Sequence, residues 1–132
     1  MIRTFLDAGV LIEGARSRAS LATRVMQVID DPEREFVVSS FLQLEVLPKA
    51  LFHQQSFEVG FYQAYFHAAK LRVTIDEPLL NGAMERAGRL GLNAVDALHL
   101  EAAIKAKAGE FYTTEKRSKP LFRETDIKII AI

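Results

Sequence analysis

The apolar residues of the chain fall into short runs that predict alternating strands and helices. Five runs without polar alternation are predicted strands, at residues 2–6, 36–38, 71–75, 111–113 and 127–132. Helical spacing between them predicts helices after Asp7 and Ser40, and over roughly 20–30, 56–69, 77–90 and 94–104. Short apolar strands separated by helices are typical of a parallel sheet that is covered on both faces. The sequence therefore predicts a three-layer α/β/α sandwich with a mainly parallel five-stranded sheet.

Several residues predict where helices begin and end. Ser20 is a candidate cap for the second helix, and the serines at 39–40 offer caps for the third. Ser40 with Gln43 matches the pattern of a capping box. Pro48 falls inside the third helix and is expected to kink or end it, because proline lacks the N–H and crowds the preceding turn. Two further boundary signals are Pro78, at a helix start, and Gly91, at a helix end.

The helix predicted over residues 56–69 is unusually aromatic. Its rings carry more apolar area than the one buried face of a small domain requires. An exposed patch for dimerisation or for a partner helix is therefore favoured, and base stacking on RNA and ordinary burial are the alternatives. The rings are Phe57, Phe61, Tyr62, Tyr65 and Phe66.

Composition excludes several classes of function. Seventeen basic residues cancel seventeen acidic ones, so no overall field draws the protein to nucleic acid. The chain has no cysteine, which excludes disulfides, thiol nucleophiles and cysteine-ligated zinc. Without repeats or linkers, residues 1–132 are predicted to form a single domain. The N-terminal apolar run is too short and interrupted for a signal peptide or membrane span, so we expect a cytoplasmic protein.

Four acidic residues stand where the predicted fold would place ligand-binding groups. Asp7 follows the first strand, and Glu45 lies about one turn into the third helix beside its apolar face. Asp96 lies in the first turn of the helix at 94–104, and Glu115 follows the fourth strand. Ligands of parallel α/β sheets bind outside the carboxyl ends of the strands, so we expect the four carboxylates to converge there.

Each of these acids also has a structural explanation. Asp7 can cap the following helix, and Asp96 can reach back to an N-cap at Asn93. Glu45 can be a boundary residue with a solvated carboxylate, and Glu115 a solvated loop residue. Together, however, clustered carboxylates repel each other unless a cation neutralises them. Hard oxygen ligands at an open site suit Mg²⁺ or Mn²⁺, which can activate water for phosphoryl displacement.

Four segments of the sequence carry a resemblance to a known family. They read FLDAGVLI from residue 5, SSFLQLEVL from residue 39, NAVDALHLEAAI from residue 93 and FYTTEKRSKP from residue 111. In this order they resemble the PIN-domain nucleases, notably the small stand-alone members that include VapC-type toxins. The pattern D-A-L-H-L-x-A-A is the most specific part, and the segments span the length of the chain.

The resemblance implies a metal-dependent ribonuclease with a PIN-like fold. By position it makes Asp7, Glu45 and Asp96 the catalytic metal ligands, with Mg²⁺ or Mn²⁺ as cofactor, and Glu115 a fourth catalytic acid. The fourth position usually reads T-x-D, and here glutamate follows Thr113 by two residues, so direct binding, water-mediated binding and no binding are all open. The resemblance also implies RNA as substrate, a homodimer and, for toxin members, an antitoxin partner.

Polar groups near Glu115 are candidates for substrate binding. They are Thr113, Lys116, Arg117 and Lys119, and the three cations form the densest basic stretch of the chain. A neutral protein that binds RNA needs such a local patch for phosphates, although a solvated basic loop is the alternative. His99 is interpreted as a packing or supporting residue, because hard magnesium does not select an imidazole.

Two other functions remain open at this point. A magnesium-binding regulatory α/β module of the receiver type would carry an acidic pair near the first strand and a lysine after the last. This chain has a single Asp7, and Lys128 begins the last strand. The second alternative is a PIN scaffold with weak or no nuclease activity, which the glutamate at 115 keeps open. The glycine-rich phosphate-binding motifs of nucleotide-binding folds do not occur.

Overall fold

The computed structural model describes residues 1–16 and 19–132 and has a parallel sheet flanked by helices. The strands are β1 (Ile2–Leu6), β2 (Arg34–Ser39), β3 (Leu71–Val73), β4 (Glu110–Thr113) and β5 (Lys128–Ala131). The helices are α1 (Ala8–Arg16), α2 (Ser20–Ile29), α3 (Ser40–Phe52), α4 (Ser56–Ala68), α5 (Glu77–Leu90) and α6 (Ala94–Lys105), with a short 3-10 helix at Pro120–Arg123. All strand pairs are parallel, in the order β3-β2-β1-β4-β5. The predicted fold class is confirmed.

The core is built around the two central strands. Phe5 of β1 stacks on Phe111 of β4 with ring centroids 5.1 Å apart, and both rings are buried. Val10 and Leu11 of α1 are fully buried, because the helix turns back against the sheet directly after β1. β1 therefore lies at the centre of the fold, with its carboxyl end held between neighbours. None of the helices in the described ranges is long and apolar enough to cross a membrane.

The predicted cap at Ser20 and the predicted capping box at Ser40 are each wrong by one residue, whereas the cap offered at Ser39 is confirmed. α2 has its N-cap at Ala19, with no side-chain cap, so Ser20 is the first helical residue. In α3 the hydroxyl of Ser39 accepts a hydrogen bond from the backbone N–H of Leu42 at 3.0 Å. Ser39 is the last residue of β2 and still extended, which is the conformation that an N-cap needs. The predicted capping box at Ser40 is therefore wrong.

Other element boundaries follow from pairing and backbone conformation. α3 continues past Pro48 to Phe52, so of the two outcomes predicted for this proline, a kink or an end, the end of the helix is wrong. β3 ends at Val73 rather than at residue 75, because its partner β2 ends at Ser39, opposite Val73. Gly91 ends α5 in the left-handed region with φ 70°, as expected of a glycine in that position.

The aromatic helix α4 is mainly an ordinary buried helix. Tyr62, Tyr65 and Phe66 are buried in the core, and Phe61 is half-buried. Only Phe57 is largely exposed, at 73% of its surface. The expectation of a broad exposed aromatic patch along this helix is therefore wrong, because most of its rings pack inward.

A buried arginine ties the second half of the chain together. Arg86 of α5 donates to Glu101 of α6 at 2.9 Å, to Glu124 at 2.5 Å and to Asp126 at 3.2 Å. Arg86 and Glu124 are both buried. Buried charges are tolerated when they are paired and hydrogen-bonded, and here one guanidinium binds three acids, one from α6 and two from the segment before β5.

Candidate functional site

The topology brings the four predicted acids to one edge of the sheet. β1 lies between β2 and β4, so the segments that follow these three parallel strands leave the sheet side by side. α6 precedes β4 and packs against α3 and β2, and its first turn therefore lies at the same edge. Burial is the main cause of the raised pKa values of Asp96 and Asp7, and the charges of Glu115 and Glu45 add to the first while that of Asp96 adds to the second.

Asp7 joins β1 to α1. Its backbone N–H continues the β1–β4 pairing by donating to the carbonyl of Tyr112 at 3.2 Å. Its Oδ1 accepts from the N–H of Val10 at 3.1 Å, so the predicted capping role is present. Burial raises the pKa of Asp7 to about 6, against the lowering effect of hydrogen bonds from the Thr113 hydroxyl and from Val10. The carboxyl group is thus held in place but only poorly solvated.

Asp96 lies in the first turn of α6 and is capped by Asn93. The Asn93 side chain accepts from the Asp96 N–H at 2.8 Å and donates to its Oδ2 at 3.3 Å. The helix N-terminus favours a negative charge at this position. Even so, burial and then the charge of Glu115 raise the pKa of Asp96. The local capping explanation is correct, and the carboxylate still belongs to the acidic cluster.

Glu45 and His99 are in direct contact. Glu45 is half-buried on α3, and its Oε1 contacts Nε2 of His99 on α6. The two residues are 54 positions apart, so this contact depends on the packing of α3 against α6. His99 thus touches a candidate ligand.

Thr113 connects two of the acids at the end of β4. Its hydroxyl donates to Asp7 and accepts from the backbone N–H of Glu115 at 3.0 Å. Thr113 is fully buried, which leaves its hydroxyl no surface for RNA. The substrate-binding role predicted for this residue does not fit this geometry, whereas support of Asp7 and Glu115 does.

The basic loop lies next to the acids without neutralising them. Lys116, Arg117 and Lys119 are exposed, and Lys116 and Lys119 line an open cleft together with Glu115. No ion pair joins Asp7, Asp96 or Glu115 to a lysine or arginine within residues 1–16 and 19–132. The lysines and arginines of the described chain therefore leave the charge of these three acids unpaired, and His99 is the basic side chain that contacts the fourth, Glu45.

The donor set suits a hard divalent cation. All four acids offer oxygen ligands, and the pKa values of Asp7 and Asp96 are raised by burial first and then by neighbouring acids, both of which a bound cation would offset. The described residues contain no group of three or more histidine, cysteine or acidic side chains already arranged around a common metal position. Mg²⁺ does not require such a cage, because it keeps several waters and binds through one or two carboxylates.

Sequence reasoning named Thr113 as a substrate-binding candidate and His99 as a packing or supporting residue, but it did not identify the acids that they contact. The roles of the Thr113 hydroxyl and the His99 ring depend on contacts between segments far apart in the chain. The sequence does contain a signal for the role of the Thr113 hydroxyl, because Thr113 stands two residues before Glu115. The signal for the role of the His99 ring is that His99 follows Asp96 by three residues and so lies on the same face of the helix.

Comparison with solved structures shows that the fold occurs in known proteins. The structure superposes on VapBC2 from Rickettsia felis bound to a promoter DNA fragment, with a TM-score of 0.73, 11% identity and 99% of each chain covered. VapBC-1 from nontypeable Haemophilus influenzae gives a TM-score of 0.68 at 16% identity over 98% of each chain. VapC20 from Mycobacterium tuberculosis, a toxin that cleaves the sarcin-ricin loop, gives 0.67 at 12% identity, covering 87% of this chain and 91% of that chain.

Sequence comparison identifies the family. No curated protein sequence matches the chain significantly. The family model for the PIN domain, in contrast, matches residues 4–128, a span that contains all four acids. The protein therefore belongs to the PIN domain family.

Proposed function

We propose that this protein is a metal-dependent ribonuclease that hydrolyses RNA phosphodiester bonds at the carboxyl edge of its sheet. The observation that carries the proposal is that Asp7 and Asp96, at this edge, have pKa values raised first by burial and further by neighbouring acidic charge, and pair with no lysine or arginine of the described chain. Perturbed acids in such a position mark a functional site more often than a structural one. Membership of the PIN domain family supports the reaction class.

Asp7, Glu45 and Asp96 are the proposed metal ligands, and Mg²⁺ or Mn²⁺ is the proposed ion. When bound, a divalent cation supplies charge neutralisation and activation of water for attack on phosphorus. Glu115 is the proposed fourth catalytic acid. Its backbone is held by Thr113, and its charge acts on Asp96, so it contributes to the field of the site even without touching an ion.

The remaining groups of the site hold these acids and bind the substrate. The Thr113 hydroxyl and the Val10 N–H fix the carboxylate of Asp7, which keeps one ligand oriented before RNA arrives. Lys116, Arg117 and Lys119 are the proposed phosphate contacts, since they are exposed beside the acidic edge and free of ion pairs within the described residues.

We also propose a toxin–antitoxin context in the cytoplasm. Two of the structural neighbours are VapBC proteins, and another is a toxin–antitoxin complex from Klebsiella pneumoniae. By analogy, the partners of this chain would be an antitoxin and a second copy of itself. Exposed apolar side chains on the described surface, including Leu51, Phe52 and Phe57, offer area for such contacts.

The experiment for this proposal is cleavage of single-stranded RNA by the purified protein with Mn²⁺, Mg²⁺ or EDTA. The wild type should cleave with either ion and not with EDTA. Asp96→Asn should lower the rate by more than about 100-fold, because losing a ligand exceeds the 10- to 100-fold loss typical of its supporting groups. Asn93 can still cap the N–H of residue 96, so thermal stability should stay near that of the wild type.

Asp76→Asn is the matched control. Asp76 also caps a helix, by accepting from the N–H of Leu79 at 3.0 Å, but its charged partner is Lys105 rather than an acid of the site. This variant should cleave at the wild-type rate. A wild type that binds Mn²⁺ but cleaves no RNA would favour the regulatory module or the inactive scaffold, and equal cleavage by Asp96→Asn would refute the site.

A further inference from the structure

His99 is held rigidly in the core beside the acidic edge. Its side chain is only 2% exposed and lies between two phenylalanine rings. The centroid of the imidazole is 5.5 Å from that of Phe5 on β1 and 5.4 Å from that of Phe41 on α3. These contacts fix the ring with respect to both the central strand and the helix that carries Glu45.

The polar contacts of this ring are unequal. Nε2 contacts the carboxylate of Glu45, whereas Nδ1 is buried and has no hydrogen-bond partner in the described part of the chain. Burying a polar atom without a partner is unfavourable, and a purely apolar residue at this position would avoid that penalty. Packing alone therefore does not account for a histidine here, and the contact with Glu45 remains as its specific contribution.

We infer that His99 is a positioning residue that holds the Glu45 carboxylate toward the metal site, an inference that rests on the proposed function. A glutamate side chain has several rotatable bonds, and Glu45 is half-exposed on its helix. With Nε2–H donating to Oε1, the other carboxylate oxygen is free to face the acidic cluster. α6 thus contributes twice to the site, with Asp96 directly and with His99 through Glu45.

Two substitutions separate this role from packing. His99→Phe keeps an aromatic ring between Phe5 and Phe41 but removes the donor. His99→Gln removes the ring but retains an N–H donor near the position of Nε2. Titration calorimetry with Mn²⁺ should give the strongest binding for the wild type, then His99→Gln, then His99→Phe, with the last weakened about tenfold. Thermal stability should show the reverse order for the two variants, because phenylalanine packs better than glutamine in this cavity.

A double-mutant cycle completes the test. Glu45→Gln should weaken Mn²⁺ binding, and adding His99→Phe to it should have little further effect, since the two residues act through one contact. Additive losses, or binding by His99→Phe as tight as wild type, would overturn the positioning role while leaving the nuclease intact. A wild type that binds no Mn²⁺ would overturn this inference together with the proposed function, so the two failures are distinguishable.

Discussion

The two edges of the sheet treat buried acids in opposite ways. At the amino edge, Glu110 is buried and its Oε1 accepts from Arg34 at 2.6 Å and from the Thr4 hydroxyl at 2.8 Å. At the carboxyl edge, Asp7 and Asp96 carry raised pKa values, and neither pairs with a lysine or arginine in the described residues. One edge is neutralised within the protein, and the other carries charge that the described residues leave unbalanced.

This difference distinguishes a structural acid from a candidate functional acid. A buried carboxylate that serves only the fold is stable when an arginine and a hydroxyl satisfy it, as they do for Glu110. A carboxylate that binds a cation cannot also be paired with an arginine, because the arginine would occupy the position of the cation. On the proposed function, the charge at this edge should destabilise the protein when no cation is bound, which is a pattern expected of functional sites.

The largest expected effect on stability comes from removing the arginine that pairs with Glu110 at the amino edge. Arg34→Met leaves Glu110 buried without its cationic partner, so we expect the free energy of unfolding to fall by about 3–5 kcal/mol. Urea denaturation measures this loss. Adding Glu110→Gln should restore most of the stability, because the unpaired charge is then gone. RNA cleavage per folded molecule should be unchanged, and a fall in the activity of Arg34→Met as large as that of a site mutant would contradict the separation of the two edges.

At the carboxyl edge we expect a substitution to have a smaller effect on the free energy of unfolding, and one of opposite sign. Burial raises the pKa of Asp7 to about 6, so in the absence of metal the folded protein holds the proton of this acid more tightly than the unfolded chain does. Its stability should therefore fall as pH rises through about 4 to 6, with the full penalty present above that range. Asp7→Asn keeps the cap to Val10 and removes the charge, so at pH 8 with EDTA it should be more stable than wild type by about 2–3 kcal/mol.

The pH dependence supplies the control for Asp7→Asn. At pH 4 in EDTA the folded wild type carries a protonated, uncharged Asp7, so most of the difference in unfolding free energy between the two proteins should disappear. Mn²⁺ should stabilise only the wild type appreciably. An Asp7→Asn protein that is less stable than wild type at pH 8 would show that the carboxylate serves the fold, as Glu110 does.

The smallest effect on stability is expected in the basic loop. Lys116→Ala with Arg117→Ala removes two exposed cations that have no ion pair in the described chain, so the free energy of unfolding should change by less than about 0.5 kcal/mol. RNA binding should weaken, and its logarithmic salt dependence should fall by about 0.7 for each phosphate that the variant no longer binds. Fluorescence anisotropy at several salt concentrations measures this, and an unchanged slope would dismiss the loop as a phosphate site.

Much of the fold could be predicted because local signals agree with the final structure. The parallel arrangement follows from short apolar strands alternating with helices, and the end of α5 and the start of α6 follow from Gly91 and Asn93. The convergence of the four acids also follows, since parallel strands send their carboxyl ends to one edge. These features depend on residues close together in the sequence or on a general rule of topology.

Features set by contacts between distant segments could not be predicted. Gln43 binds Arg72 of β3 rather than closing a capping box, and β3 is short because β2 gives it only three partners. The link between His99 and Glu45 requires α3 and α6 to meet in a particular register. No pattern within either helix encodes that register, so the support of the acids became visible only in the folded chain.

The ion pairs that Arg86 makes with Glu101, Glu124 and Asp126 have a consequence for solubility. β5 is a four-residue strand at the edge of the sheet, beside the fully buried strand β4. Arg86 holds the segment leading into β5 through Glu124 and Asp126, and so keeps this short strand in place. If that anchor were removed, β5 would separate more readily and leave the backbone of β4 open to pairing with another molecule. We therefore expect this charge cluster, which contains none of the four candidate acids, to protect the sheet against aggregation.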